Sequence, residues 1–364
     1  MTMRDSVRLT ALYDRWLADL LIRDIPPEKV DCSHCAMCGE RPTLDEITAG
    51  RRFSPDVKCC SYWPRLPNFL VGGLLRDEES AAGRTRVLDL IGGRPDIATP
   101  LGIEPSLEYE LLFHAAGVRE FGRAAALRCP FYEIADGGSC TIWRHRTSVC
   151  ATWYCKHVRG DVGSVFWMSV RALLQHIERS VAIWCVSQLE GTHVDLPWLE
   201  MQATRGGSAP YNAHRTLDAV HSIRDSDRMW GTWRSRKVEF YTRCSESVGG
   251  LPAADLVSIG GAQGQALAAA ARTAYEALKN TAVPERPKLG RYSVYAMDAN
   301  GVEIGNYNAY DHVKLSLPLF SALHYFDGST SSEVISRLRE DGIEIDPELI
   351  ATLTDFRILM DAAG

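Results

Sequence analysis

No apolar run in the 364-residue sequence reaches the roughly 18 residues that a membrane-spanning helix needs. A basic excess is missing too. The net charge is −6, so neither phosphate backbones nor anionic lipid would meet a general positive field. The opening stretch MTMRDSVRLTALYDRW lacks the uninterrupted apolar segment and small-residue cleavage site of a secretory signal. The expected compartment is therefore the cytoplasm, where thiols stay reduced. An even cysteine count is also lacking. Eleven cysteines in a reducing compartment argue against a disulfide framework. A glycine-rich phosphate loop is absent: GGAQGQ, from Gly260 to Gln265, has no strand pattern before it and reads as a helix-entry turn. No local signature supports a cysteine-nucleophile hydrolase.

What the sequence does hold is thiol, unevenly placed. Nine of the eleven cysteines lie between Cys32 and Cys155. Cys32, Cys35 and Cys38 form a C-x2-C-x2-C run in DCSHCAMCGE. Cys59 and Cys60 form a doublet in KCCSYWP. Cys129 opens CPFYE, and Cys140, Cys150 and Cys155 share GGSCTIWRHRTSVCATWYC. Two cysteines separated by two residues can turn both sulfurs toward one point, a knuckle that serves zinc and iron–sulfur clusters alike. Gly39, Gly137 and Gly138 would permit the tight backbone such loops need. Soft thiolates select zinc, Cu(I) or iron–sulfur over hard ions. The spacing predicts a metal site with these nine cysteines as ligands. Cys185 and Cys244 stand alone and read as small buried hydrophobes.

The segments CSHCAMC, CPFYE and GSCTIWRHRTSVCATWYC together resemble the YkgJ-like cysteine-cluster family, whose members carry a CxxCxxCC run. On that resemblance the family cysteines correspond to Cys32, Cys35, Cys38, Cys129, Cys140 and Cys150, with Ile142, Trp143 and Arg146 at the aromatic and basic positions between the last two. Gly39 stands where the family doubles its cysteine, Thr147 replaces a proline, and Ala151 replaces an arginine. The resemblance covers Cys32 to His157 and implies a zinc- or iron-chelating domain. It names no reaction. A radical-SAM reading fails on spacing, because CSHCAMC has two residues, not three, between its first cysteines.

Nine thiols are one more than two four-thiolate sites need. Two clusters, or one cluster and one zinc, fit that count. His34, His114, His145 and His157 are possible substitutes at one position, although each alone reads as an ordinary polar residue. Tyr62, Trp63, Phe131, Tyr132, Trp143, Trp153 and Tyr154 would exclude water from the thiolates, and would equally build a core. Arg144, Arg146 and Arg159 could offset thiolate charge. The reading favours a 4Fe–4S cluster, with zinc as alternative or second metal.

Elsewhere the pattern is helical. Leu9 to Leu21 reads as an amphipathic helix, Pro64 to Leu75 as a buried connector running into a helix or strand, and Ser106 to Leu127 as one or two helices. Val165 to Glu190 is a long helix. TRGGSAP, from Thr204, is a loop; the stretch from His214 to Ser247 is helical; GLPAADLVSIGGAQ is a glycine-rich break; and Ala262 to Asn280 is an alanine-rich helix. The proline-bearing segment Thr281 to Tyr292 is the expected boundary. Beyond it RYSVYAM alternates like a strand, Asn300-Gly301 marks a hairpin turn, and three short helices follow with caps at Ser316, Ser331 and Asp346. FDGSTSSEVISRL and the terminal RILM loosely resemble winged-helix modules of PqqD-like peptide-recognition domains. From Asp311 to Gly364 ten acidic residues face four Lys or Arg. That balance disfavours nucleic acid and leaves peptide or protein recognition, or plain packing.

The fold expected is mainly α with small β content: an irregular Cys-rich metal domain embedded in helices (1–160), a helical domain packed on it (161–283) and a C-terminal winged-helix-like α+β module (284–364). The function expected is an iron–sulfur metalloprotein, leaning toward a redox or modifying enzyme that acts on a peptide or protein, with no nucleic-acid or membrane partner. The rivals are a zinc-stabilised interaction module without catalysis and a soft-metal carrier.

Overall fold

Burial of aromatic and aliphatic stripes on helices organises most of the chain. The computed structural model describes residues 9–25, 35, 37–38, 52–94, 97–192, 228–281 and 283–362. The first helix, α1 (Ala11–Asp19), is entered through Thr10, whose side chain accepts the Tyr13 N–H, and it buries Tyr13, Trp16 and Leu17. β1 (Leu66–Pro67) leads directly into α2 (Asn68–Arg76), so the expected connector is a strand and then a helix. α3 (Ala81–Gly93), β2 (Ala98–Thr99), β3 (Gly102–Ile103) and α4 (Leu107–Glu120) follow, the last kinked at Gly117. β3 runs antiparallel between β1 and β2.

The cysteine-rich stretch then uses very short elements: β4 (Tyr132–Glu133), β5 (Ser139–Cys140) and α5 (Ser148–Ala151). The long helix α6 (Gly160–Gln188) supports them. Its buried positions Phe166, Val170, Leu173, Leu174, Ile177, Val181 and Cys185 recur at helical spacing. α7 (Lys237–Gly249), α8 (Ala253–Ile259) and α9 (Gly261–Lys279) complete this body. α7 packs on α2 so closely that a Cβ on Gly72 would lie 1.8 Å from the Tyr241 carbonyl oxygen, which only glycine avoids. α8 replaces the expected glycine-rich break. Pro252 starts it and Ala253, Leu256 and Val257 bury one face, so the flanking glycines bound a helix and do not erase it. Cys185 and Cys244 are buried together, the Cys185 thiol 3.9 Å from the Cys244 carbonyl. The expected loop at Thr204 and the chain from His214 to residue 227 lie outside the described residues.

The C-terminal region starts with β6 (Pro287–Leu289), within the expected linker. β7 (Ser293–Asp298) and β8 (Gly301–Gly305) form a hairpin where one is expected, but its turn residues are Ala299 and Asn300, Gly301 pairing with Asp298 as the first residue of β8; β9 (Val313–Leu315) pairs with the other side of β8. α10 (Leu317–Ser321) and α12 (Pro347–Asp355) are capped by Ser316 and Asp346, as expected. α11 (Ser331–Glu340) is capped one residue earlier than expected, by Thr330, which forms a reciprocal box with Glu333. β10 (Leu359–Asp361) returns to pair antiparallel with β6.

The fold is thus mainly α with small sheets. One apolar core runs from Leu9 to Leu278 and a second from Val302 to Leu359. Polar contacts join them. Arg159 forks onto the Asp355 carboxylate and donates to the Leu278 carbonyl at 2.7 Å. Arg357 meets Asp161 at 2.6 Å. Among the described residues no helix is long and apolar enough to cross a membrane.

Candidate metal centre

Five chain segments bring their cysteines to one region. Cys32 lies outside the described residues. In the first segment the Cys38 N–H donates to the Cys35 carbonyl at 3.0 Å, and Phe53 N–H donates to Met37 at 2.9 Å. This ties the knuckle to a buried aromatic wall of Phe53, Phe121 and Tyr310. The doublet sits in a 3-10 turn, Lys58–Ser61, entered through a Ser54-Pro55-Asp56 turn that Val57 and Lys58 close on the Ser54 carbonyl. Cys129 N–H donates to the Cys60 carbonyl at 2.7 Å, which joins the third segment to the second.

The β4–β5 hairpin sets Cys140 opposite Tyr132. Gly138 is required at its turn: its φ is +83°, and a Cβ there would stand 1.8 Å from the Tyr132 hydroxyl. That hydroxyl donates to the Pro55 carbonyl at 2.6 Å. Cys150 rides on α5, and Cys155 is buried just beyond it. α5 is anchored by Glu178 of α6. The carboxylate accepts Ser148 N–H at 2.8 Å, Ser148 Oγ at 2.5 Å and the Tyr13 hydroxyl. Burial raises Glu178 to about 6.

All eight described members of the predicted ligand set are free thiols, as are Cys185 and Cys244. They feel one another. The Cys38 thiol bonds Cys35 and lowers it to about 6, while Cys38, as the donor, is raised. Cys60 does the same to Cys59, lowering it and being raised in turn. Burial raises Cys129, Cys140 and Cys155, and pushes Cys150 up to about 12. Neighbouring thiolates add to this: Cys140 acts on Cys60, Cys129 and Cys150, and Cys35 acts on Cys155. A cation or metal would relieve that crowding.

Of the three arginines expected to offset thiolate charge, only Arg146 does. It is buried, lies over the Trp143 ring at 3.3 Å, and lowers Cys59, Cys140 and Cys150. Arg144 turns instead to Asp77 and Glu79, and Arg159 to Asp355. The second cation is Lys58, which sequence reasoning missed. It is buried and lowers Cys35 and Cys38, and its ammonium donates to the Gly137 and Gly138 carbonyls at 2.7 and 3.1 Å. A lysine abutting a cysteine doublet was the available signal.

The histidines are engaged otherwise. His145 bonds Asp77 at 2.8 Å, and the His157 ring packs beside Tyr154 and Tyr307. His114 lies against Phe113, and His34 is outside the described residues. Phe131, Tyr132 and Tyr154 are buried, whereas Trp153 reaches the surface.

No protein-family model, curated protein or solved structure matches this chain. The likeness to cysteine-cluster and PqqD-like families therefore stands on the motif residues alone. Among the described residues no three His, Cys, Asp or Glu side chains stand as a ready-made ligand set. The donor chemistry nevertheless fits a thiophilic metal: clustered free thiols, two buried cations beside them and an aromatic wall.

Proposed function

We propose that this chain is a cytoplasmic thiolate-ligated metalloprotein holding iron–sulfur, and that it modifies or exchanges electrons with a peptide or protein. The observation that carries the reading is the gathering of free thiols from five segments around one partly buried doublet. Unligated thiols have no need of two buried cations, whereas thiolates do. A bound cluster would supply one-electron transfer or an open iron position to hold a substrate atom. The protein's own part is to exclude water with Phe53, Phe121, Phe131 and Tyr154, and to balance charge with Lys58 and Arg146.

The peptide half of the reading draws on β7. It pairs with β8 along one side, and among the described strands none pairs with its other side. Val294, Tyr295 and Met297 are exposed along it. An extended peptide could add there as a further strand.

The test is purification without oxygen, with iron, zinc and acid-labile sulfide counted per chain. Brown protein with broad visible absorbance, iron and sulfide is expected. Colourless protein with stoichiometric zinc would replace this reading by a zinc-stabilised interaction protein.

A further inference from the structure

We infer that Asp77, His145 and Ser245 form a hydrolytic site for small esters, outside the cysteine cluster. Ser245 is its nucleophile, His145 the base that activates it, and Asp77 the residue that positions the base. The inference does not depend on the metal reading and gives the chain a second activity.

Three elements meet there. α2 and α7 touch at Gly72 and Gly73, and the 3-10 turn Trp143–His145 lies beside that contact. A Cβ on Gly73 would stand 3.1 Å from His145 Nδ1 and 3.6 Å from Ser245 Oγ, so both atoms border the space that the glycine leaves. Asp77 follows the last residue of α2. Its carboxylate holds His145 Nε2 at 2.8 Å, and is itself fixed by Ser80 Oγ at 2.9 Å and by the Glu79 N–H at 3.0 Å.

A carboxylate only accepts, so Nε2 carries the ring proton and Nδ1 is left as the basic nitrogen. Burial holds His145 below its ordinary value, which keeps the ring neutral at pH 7. Asp77, His145 and Ser245 are all half-buried, within reach of a small molecule. Among the described residues no hydrogen bond occupies Nδ1 or Ser245 Oγ, and none joins the two. Such a contact commonly tightens only when substrate is bound.

In the reaction Ser245 Oγ attacks the ester carbonyl carbon as its proton passes to Nδ1. The alkoxide leaves with that proton. Water then repeats the sequence on the acyl-serine, releasing the acid and restoring the hydroxyl. An ester is the substrate class because an alkoxide leaves more readily than an amine.

The experiment treats the full chain, purified anaerobically, with a fluorophosphonate, a probe that marks activated serines and spares thiols. Label on Ser245, located by peptide mass, is expected at about one per chain. Ser245→Ala should abolish it, and His145→Gln should slow it about a hundredfold. Asp77→Asn should slow it too, with Asp77→Glu recovering part of the rate. Gly73→Ala suits a helix yet fills the space between base and nucleophile, and should slow labelling about tenfold. Far-UV circular dichroism and metal content should match wild type throughout. A wild type that takes no label at Ser245, or a folded His145→Gln protein that labels at the wild-type rate, overturns the inference. Should Asp77→Asn fail to fold, His145→Gln and Gly73→Ala still decide. Labelled but metal-free protein would overturn the metal reading and leave this one standing.

Discussion

The C-terminal region and the cysteine-rich stretch are built on opposite principles. The first uses capped helices and a hairpin around Val302, Ile304, Leu338, Ile350 and Leu353, all but inaccessible to solvent. The second uses two-residue strands and single turns, and it fills space with thiols where the first has aliphatic side chains. Local rules suffice for one. The other is held by bonds that leap far along the chain, such as Lys58 to Gly137 and Ser148 to Glu178. The difference teaches that a region poor in regular structure can be as determined as a regular one, provided that buried side chains act as its struts.

The contrast is broken most severely at the seam. Arg159→Met would leave Asp355 without its fork and the Leu278 carbonyl without its donor, at a cost of about 3 kcal/mol. The C-terminal region should then melt ahead of the rest, giving two calorimetric transitions. One unchanged transition would show that the two cores do not depend on this bridge.

Glu178 sharpens the other half. Its carboxyl is raised from an ordinary 4.5 to about 6 by burial, so the folded state favours the protonated form. That contribution is complete below about pH 4.5 and is lost as pH rises through 6, on the order of 2 kcal/mol. Glu178→Gln should flatten the stability profile between pH 4.5 and 6.5. A profile of wild-type steepness in urea titrations would assign the slope to other groups.

The smallest effect is expected in the regular region. Thr330→Ala removes an exposed capping box and should cost about 1 kcal/mol, read from the same urea titrations, with metal content untouched. Loss of metal in this variant would mean that the two regions are far more tightly joined than the seam implies.

Legibility in the sequence follows the same divide. The β7–β8 hairpin, though not its turn residues, and the caps at Ser316 and Asp346 could be read because turn and cap chemistry is local. The long helix was legible from its periodicity, although α6 begins five residues before the expected Val165, at Gly160. α8 was not, because its few residues sit between glycines that look like punctuation. In the candidate site the cysteine groups were visible, but their supports were not. Glu178 lies 30 residues from Ser148 and 165 from Tyr13, separations at which no spacing rule operates. Arg144 and Arg159 are near the cysteines in sequence, yet their partners Asp77 and Asp355 come from elsewhere.

The loop between β8 and β9 has a practical consequence. Asp311 accepts the His157 N–H at 2.8 Å and the Tyr307 hydroxyl, while Tyr310 and Asn308 rest on Phe53 and Cys155. A truncation that ends the chain near residue 283 would thus strip a wall from Phe53 and Cys155 as well as removing the second apolar core. Whatever such a shortened protein failed to do would report an exposed interior, and would say little about what the missing part recognises.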